Sequence, residues 1–172
     1  AEKKLSDRLN LPNGYPLMAG SVDEKTDKEY PIELLTTRKA CQYTVGTMTR
    51  RSAALEYGAD SNGSAVEINP ETAEDYGLTE NDFIQVESRY GMVVVRISIT
   101  NVVPKNVMQM YFHYWEAHSN ELTSSGLDPI SKTPTYKAAV KMHKISEKEY
   151  LNALIEKKEK FTSNKIIYTD HH

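Results

Sequence analysis

Cysteine is nearly missing from this sequence: Cys41 stands alone among 172 residues. A lone thiol excludes an internal disulfide and an all-cysteine metal site, and it suits a reducing, cytoplasmic setting. Long apolar runs are missing too. No stretch approaches bilayer-spanning length and no secretion signal is legible, so no membrane segment is expected. A basic surplus is also lacking, because 24 acidic residues outweigh 21 basic ones and leave a net charge of −3. Bulk electrostatics therefore give no reason to expect nucleic acid as a partner. There is no initiator methionine: the chain starts Ala1-Glu2 and closes on His171-His172, ends that read as those of a piece of something longer.

What is present is mostly strand-like. Residues 1–29 are polar, without sustained periodicity, and read as a lead-in segment. A domain is expected over 30–144, followed by a helix and tail over 145–172. "PIELLTT" (31–37) reads as a buried strand, and "RRSAALEYGAD" (50–60) as a short helical turn ending in the turn signal "DSNGS". Asn69 is placed to cap a helix with Pro70 at its first position and Glu71 in its first turn, and Gly77 to end it. "FIQVES" and "MVVVRISIT" read as strands joined by "RYG", with Gly91 able to take positive φ. Val93, Val95, Ile97 and Ile99 alternate onto one face. "VMQMYFHYW" (107–115) and "AAVKMHKI" (138–145) read as further strands. Ser146 and Glu149 make a capping box, after which Tyr150, Leu151, Leu154 and Ile155 are expected to line one helical face. Short strands with one short helix between them predict a compact barrel.

Three stretches could carry chemistry. His113 and His118 lie five residues apart, a spacing that does not put two ligands on one helical face, so no metal site is assigned to them. "YTVGTMTRRS" (43–52) crowds Thr44, Thr47, Thr49 and Ser52 around Gly46, with Arg38 and Lys39 upstream and Arg50 and Arg51 within it. Backbone N–H groups, hydroxyls and nearby cations together are how a mostly neutral loop holds phosphate. "SNELTSSGLDPISKTPTYK" (119–137) is a long irregular segment, which in a compact domain is usually functional; it is expected to cover a ligand.

The strings "GTMTRR", "INPETAEDYGL", "VESRYGMVVVRI" and "MYFHYWEAHSNELT…LDPISKTPTYKAAVKM" resemble the C-terminal cofactor-binding domain of molybdopterin-dependent formate dehydrogenases. The wider group comprises the molybdenum and tungsten oxidoreductases that carry a bis(molybdopterin guanine dinucleotide), bis-MGD. The resemblance implies a mainly β fold, a double-psi β-barrel with short helices and a C-terminal helix. It implies that Arg38, Lys39, Gln42 and Thr44 of the first loop lie along the dinucleotide. Phe112 and His113 would line it from the aromatic strand, and Asn120, Tyr136 and Lys137 from the long loop. Lys137, a charge ending the most specific motif, is expected to matter more than Gln42. The first loop departs from the family pattern at Thr37, where a glycine is usual, and at Gln42, where a histidine is usual.

The metal-binding cysteine or selenocysteine and the iron–sulfur motif of such enzymes are not legible here. The resemblance therefore implies no catalytic or metal-ligating residue in this chain. It implies a part that holds bis-MGD while molybdenum or tungsten oxidises formate to carbon dioxide on the remaining catalytic and iron–sulfur domains or subunits. Alone, the chain is expected to be inactive and to carry no cofactor. The alternatives are a separate small barrel subunit, as in formylmethanofuran dehydrogenase, and a cofactor-free interaction barrel.

Overall fold

Strand β1 (Ile32–Thr37) shows how the rest of the molecule is organised: its residues alternate between buried and half-buried, and both of its edges are paired. The computed structural model describes residues 24–58, 65–124 and 135–167. The "DSNGS" turn, residues 125–134 of the long segment, most of the polar lead-in and the last five residues lie outside the described residues. The other strands are β2 (Val66–Ile68), β3 (Phe83–Glu87), β4 (Met92–Ile99), β5 (Val107–Tyr111) and β6 (Lys137–Ile145). They close into a barrel in the order β1-β5-β2-β4-β3-β6, with β1/β5 and β2/β4 parallel and the other pairs antiparallel.

Exchanging each strand with the one three places along the chain returns the same cyclic order. The barrel is thus two interlocked copies of one three-strand pattern, and each parallel pair is a strand of one half held by the other: a double-psi β-barrel. The interior is filled by one residue in two from each strand. Leu34, Val66, Ile68, Ile84, Val86, Val95, Ile97 and Met108 have no exposed surface. Burying such a side chain stabilises by roughly 1.5–3 kcal/mol, so the alternation fixes the register of every strand.

Short helices lie between the strands. Helix α1 (Ala53–Gly58) follows a 3-10 turn at Thr49–Arg51. Helix α2 (Pro70–Asp75) starts as its sequence predicts, with Asn69 accepting from the Glu71 N–H at 2.9 Å. It ends on Gly77 at φ +62°, where the Leu78 N–H reaches back to the Ala73 carbonyl at 2.8 Å. Thr72, fully buried, accepts from the Asn106 N–H at 2.9 Å and ties α2 to the β4–β5 turn.

Three expectations need correction. Strand β5 stops at Tyr111 rather than running to Trp115, because its partner β1 ends at Thr37 and offers no further ladder. Gly91 does not use positive φ; it is needed because a Cβ there would lie 2.5 Å from the Glu121 carbonyl oxygen. Helix α3 (Glu147–Ile167) has the expected capping box, with Glu149 accepting from the Ser146 N–H at 2.8 Å, but its apolar face is split. Tyr150 stacks on Phe83 at 4.4 Å and Lys157 pairs with Glu121, while Leu151 and Ile155 face outward.

Residues 24–30 lie across β6 and the β3–β4 hairpin. Glu24 accepts from the Ala139 N–H at 3.4 Å, and Arg89 ion-pairs with Glu24 and Asp27 while covering the Tyr30 ring. This cover is why Ala139, on the outer face of β6, is buried like its core-facing neighbours.

Two outcomes follow for stability. Gly91→Ala forces the hairpin away from residue 121 and lowers the unfolding free energy by about 1–3 kcal/mol, read from the urea midpoint. Asp82 accepts from the Lys144 ammonium at 2.6 Å and from Thr79, and the Lys144 hydrogen bond foremost holds its carboxyl below the usual range. A depressed carboxylate stabilises the fold above its unfolded pKa, about 3.9, and stops doing so as pH falls through the folded value. Asp82→Asn is therefore less stable than the parent at neutral pH, and urea titrations show the gap closing with acidification.

Candidate functional site

Because β1 and β5 are parallel, with Thr37 opposite Tyr111, the loops leaving both strands emerge at one rim of the barrel. The start of β6 joins them there, since the Tyr136 carbonyl accepts from the Thr36 N–H at 2.8 Å. The first loop (38–50), the turns over 112–123 and residues 135–136 thus form one surface; of the nine residues expected to line a ligand, eight belong to these segments, with Gln42 and His113 buried beneath the surface.

His113 organises that surface. It is 1% exposed and lies beneath the first loop. Its Nε2 accepts from the Lys39 N–H at 2.9 Å, and its Nδ1 contacts the Thr44 carbonyl. A backbone N–H can only donate and a carbonyl can only accept, so the ring is neutral with its proton on Nδ1. One imidazole therefore ties the loop's beginning to its middle. Thr44 sits at φ +46°, uncommon for a residue with a side chain, and its bond to His113 offsets that strain.

Gln42 supports the second half. It is 3% exposed, and its Oε1 accepts from the Thr49 hydroxyl. Gly46 closes the turn at φ +72°, and a Cβ there would press Arg50 at 3.1 Å and Gln42 Oε1 at 3.3 Å. The glycine is required by dihedral angle and by space.

The four cations of the sequence motif divide. Arg50 is bound bidentately by Glu116, at 2.8 and 3.1 Å, and lies over the Tyr114 ring. Arg38 lies over Phe112 at 5.6 Å and Lys39 over Tyr111 at 4.9 Å, so each is steered by a ring at the end of β5. Arg51 is exposed. The hydroxyl-rich turn presents Thr44 and Thr47 to solvent alongside Tyr43, Val45 and Met48. Two buried hydroxyls of the same region, Thr37 Oγ1 and Ser119 Oγ, have no hydrogen-bond partner among the described residues. Ser119 has no distinctive sequence signal; it stands beside the predicted Asn120, which is exposed.

Lys137 is the predicted residue placed apart. It is the first residue of β6, and its ammonium pairs with Glu33 at 2.9 Å on the outer wall of the barrel. Among the described residues no group of three or more His, Cys, Asp or Glu side chains could hold a metal ion.

His113→Phe keeps the ring's volume and removes both loop contacts. We expect faster hydrogen exchange at the Lys39 amide and a loss of about 1–3 kcal/mol, measured by exchange NMR and thermal melting. An unchanged Lys39 amide would show that the loop is held by something else.

Comparison with known proteins bears on what this rim holds. The family model described as "Molydopterin dinucleotide binding domain" matches residues 32–140. The chain is 40% identical over 144 residues to the F420-dependent formate dehydrogenase 2 subunit alpha of Methanococcus maripaludis, covering 81% of this chain and 21% of that protein. It is 33% identical over 147 residues to formate dehydrogenase H of Escherichia coli, covering 82% of this chain and 20% of the relative. The assimilatory nitrate reductase catalytic subunit of Bacillus subtilis is 34% identical over 128 residues, 74% of this chain and 17% of the relative. Among solved structures, acetylene hydratase from Pelobacter acetylenicus superimposes with a TM-score of 0.58 at 18% identity, over 69% of this chain and 19% of that one, and shares the fold. The chain spans about a fifth of the length of its curated relatives. On the match across its whole barrel, from β1 into β6, the chain belongs to the molybdopterin dinucleotide-binding domain family.

Proposed function

We propose that this chain is the cofactor-holding part of a molybdenum- or tungsten-dependent formate dehydrogenase, with bis-MGD as the cofactor and residues 30–144 as the unit that holds it. The observation that carries the reading is the 40% identity, over most of the chain, to a protein named as a formate dehydrogenase alpha subunit. The rim fits such a group chemically. It offers two ring-steered cations, exposed hydroxyls and two buried hydroxyls without partners among the described residues, a donor set suited to a pyrophosphate and a polar heterocycle.

In this reading Arg38, Lys39 and Thr44 donate to the dinucleotide's phosphates. Phe112 and Tyr136 offer ring faces, and Asn120 an amide, at the edges of the same surface. Gln42 and His113 act beneath the loop, holding its donors in place before the ligand arrives, which lowers the ordering cost of binding. Lys137 stays with Glu33 in the barrel wall. The bound group would supply the metal centre at which two electrons leave formate. This chain's residues bind it, orient it and exclude water from one side. The other walls of the site belong to the remaining domains of the enzyme, as cofactor pockets commonly lie between domains.

The reading is tested with the full-length protein. Formate-dependent dye reduction is expected, and reduction of nitrate without any turnover of formate would overturn it in favour of the nitrate reductase relatives. Replacing both Arg38 and Lys39 by alanine is expected to weaken cofactor retention at least ten- to hundredfold, the equivalent of one charge-assisted hydrogen bond of roughly 1.5–3 kcal/mol. Pterin fluorescence after oxidation of the purified protein measures it, and full retention by the double variant would remove these two residues from the site.

A further inference from the structure

Arg50 belongs to the most basic run of the phosphate-like motif, yet its guanidinium is spent on Glu116. Both terminal nitrogens face the two carboxylate oxygens, at 3.1 and 2.8 Å, and the group rests over Tyr114 at 5.3 Å. Both side chains of the pair are about three-quarters buried. A planar fork held at both prongs and stacked on one face has little freedom to turn toward a ligand.

The pair joins two different rim segments. Arg50 ends the first loop, and its N–H donates to the Gly46 carbonyl at 3.0 Å, so it is continuous with the turn that presents Thr44 and Thr47. Glu116 sits in the 3-10 turn Trp115–Ala117, three residues beyond His113. Polar contacts therefore fasten the first loop to the segment after β5 near its beginning, by His113, and at its end, by Arg50–Glu116. Gly46 packs into this second fastening, since the atoms nearest a Cβ there are those of Arg50 itself.

We infer that Arg50 and Glu116 form a clasp that fixes the spacing of the two rim loops, making both residues positioning residues for the dinucleotide rather than contacts to its phosphates. The inference rests on the cofactor reading above and adds a division of labour: Arg38 and Lys39 bind, Arg50 aligns. The clasp differs sharply from a direct phosphate contact in how its variants behave. A phosphate-binding Arg50 would tolerate Glu116→Gln, which frees the guanidinium, and would be partly replaced by lysine. A clasp would tolerate neither.

The experiment uses the full-length enzyme with Arg50→Gln, Glu116→Gln, Arg50→Lys and the double glutamine variant. Two quantities are read: the rate at which bis-MGD is lost, by pterin fluorescence, and hydrogen exchange of residues 43–50. For the clasp, both single glutamine variants lose cofactor roughly tenfold faster or more. The double variant is no worse than either single, because the pair acts as a unit. Arg50→Lys behaves like Arg50→Gln, and exchange over 43–50 quickens in all four. Unchanged or slower cofactor loss in Glu116→Gln, with fast loss in Arg50→Gln, would overturn the clasp and make Arg50 a phosphate ligand. Unchanged exchange in Glu116→Gln would overturn it as well. Absence of pterin from the parent enzyme would defeat the cofactor reading instead, and the exchange data would then decide by themselves whether the pair fastens the loops.

Discussion

Because β1 and β5 run side by side in the same direction, two loops far apart in sequence leave the barrel at one rim. An antiparallel partner would have sent them to opposite ends. The register of that pairing is set by burial: Leu34 and Met108 are partners, both without exposed surface, and a slip of one residue would turn such pairs outward. The core therefore decides where these loops meet, and Ala117 and Leu122 of the second loop belong to it.

At that rim the electrostatics are arranged by separation rather than by accumulation. A chain of net charge −3 cannot attract an anion by its overall field. It instead sorts a few local cations, leaving Arg38 and Lys39 against ring faces and neutralising Arg50 with Glu116. The hydroxyl-rich motif has two functions as well. Thr49 faces inward to Gln42 and supports the turn, whereas Thr44 and Thr47 are exposed. Composition alone had grouped all of these as donors.

Local rules read the fold well wherever one residue type has one physical role. The Asn69-Pro70 helix start, the Gly77 stop, the Ser146/Glu149 box and the alternation in β4 were all legible, because capping and pleating depend on near neighbours. The candidate site was legible as a set of loops. The individual roles were harder to read, because they depend on partners distant in sequence. Nothing near His113 says that both its nitrogens are used by residues 39 and 44, and nothing near Lys137 points to Glu33. Gly91 shows the same limit: its conformation was inferred from its turn, but its necessity comes from the backbone of residue 121. Leu151 and Ile155 follow a helical period, yet only one flank of that stripe meets the barrel.

The barrel's interlocked order also constrains the course of its formation. β1 is the first of the barrel's strands to be made, but its two neighbours are residues 107–111 and 137–140. No local hairpin can shelter it in the meantime, and such long-range pairing closes slowly because chain entropy must be lost before contacts form. During synthesis the apolar residues of "PIELLTT" therefore wait, exposed, until nearly the whole barrel has been made. The rim loops share that delay, because the strands that bring them together are the last to pair. Assembly of the rim is thereby ordered in time by topology, with the barrel closed before its two loops can meet.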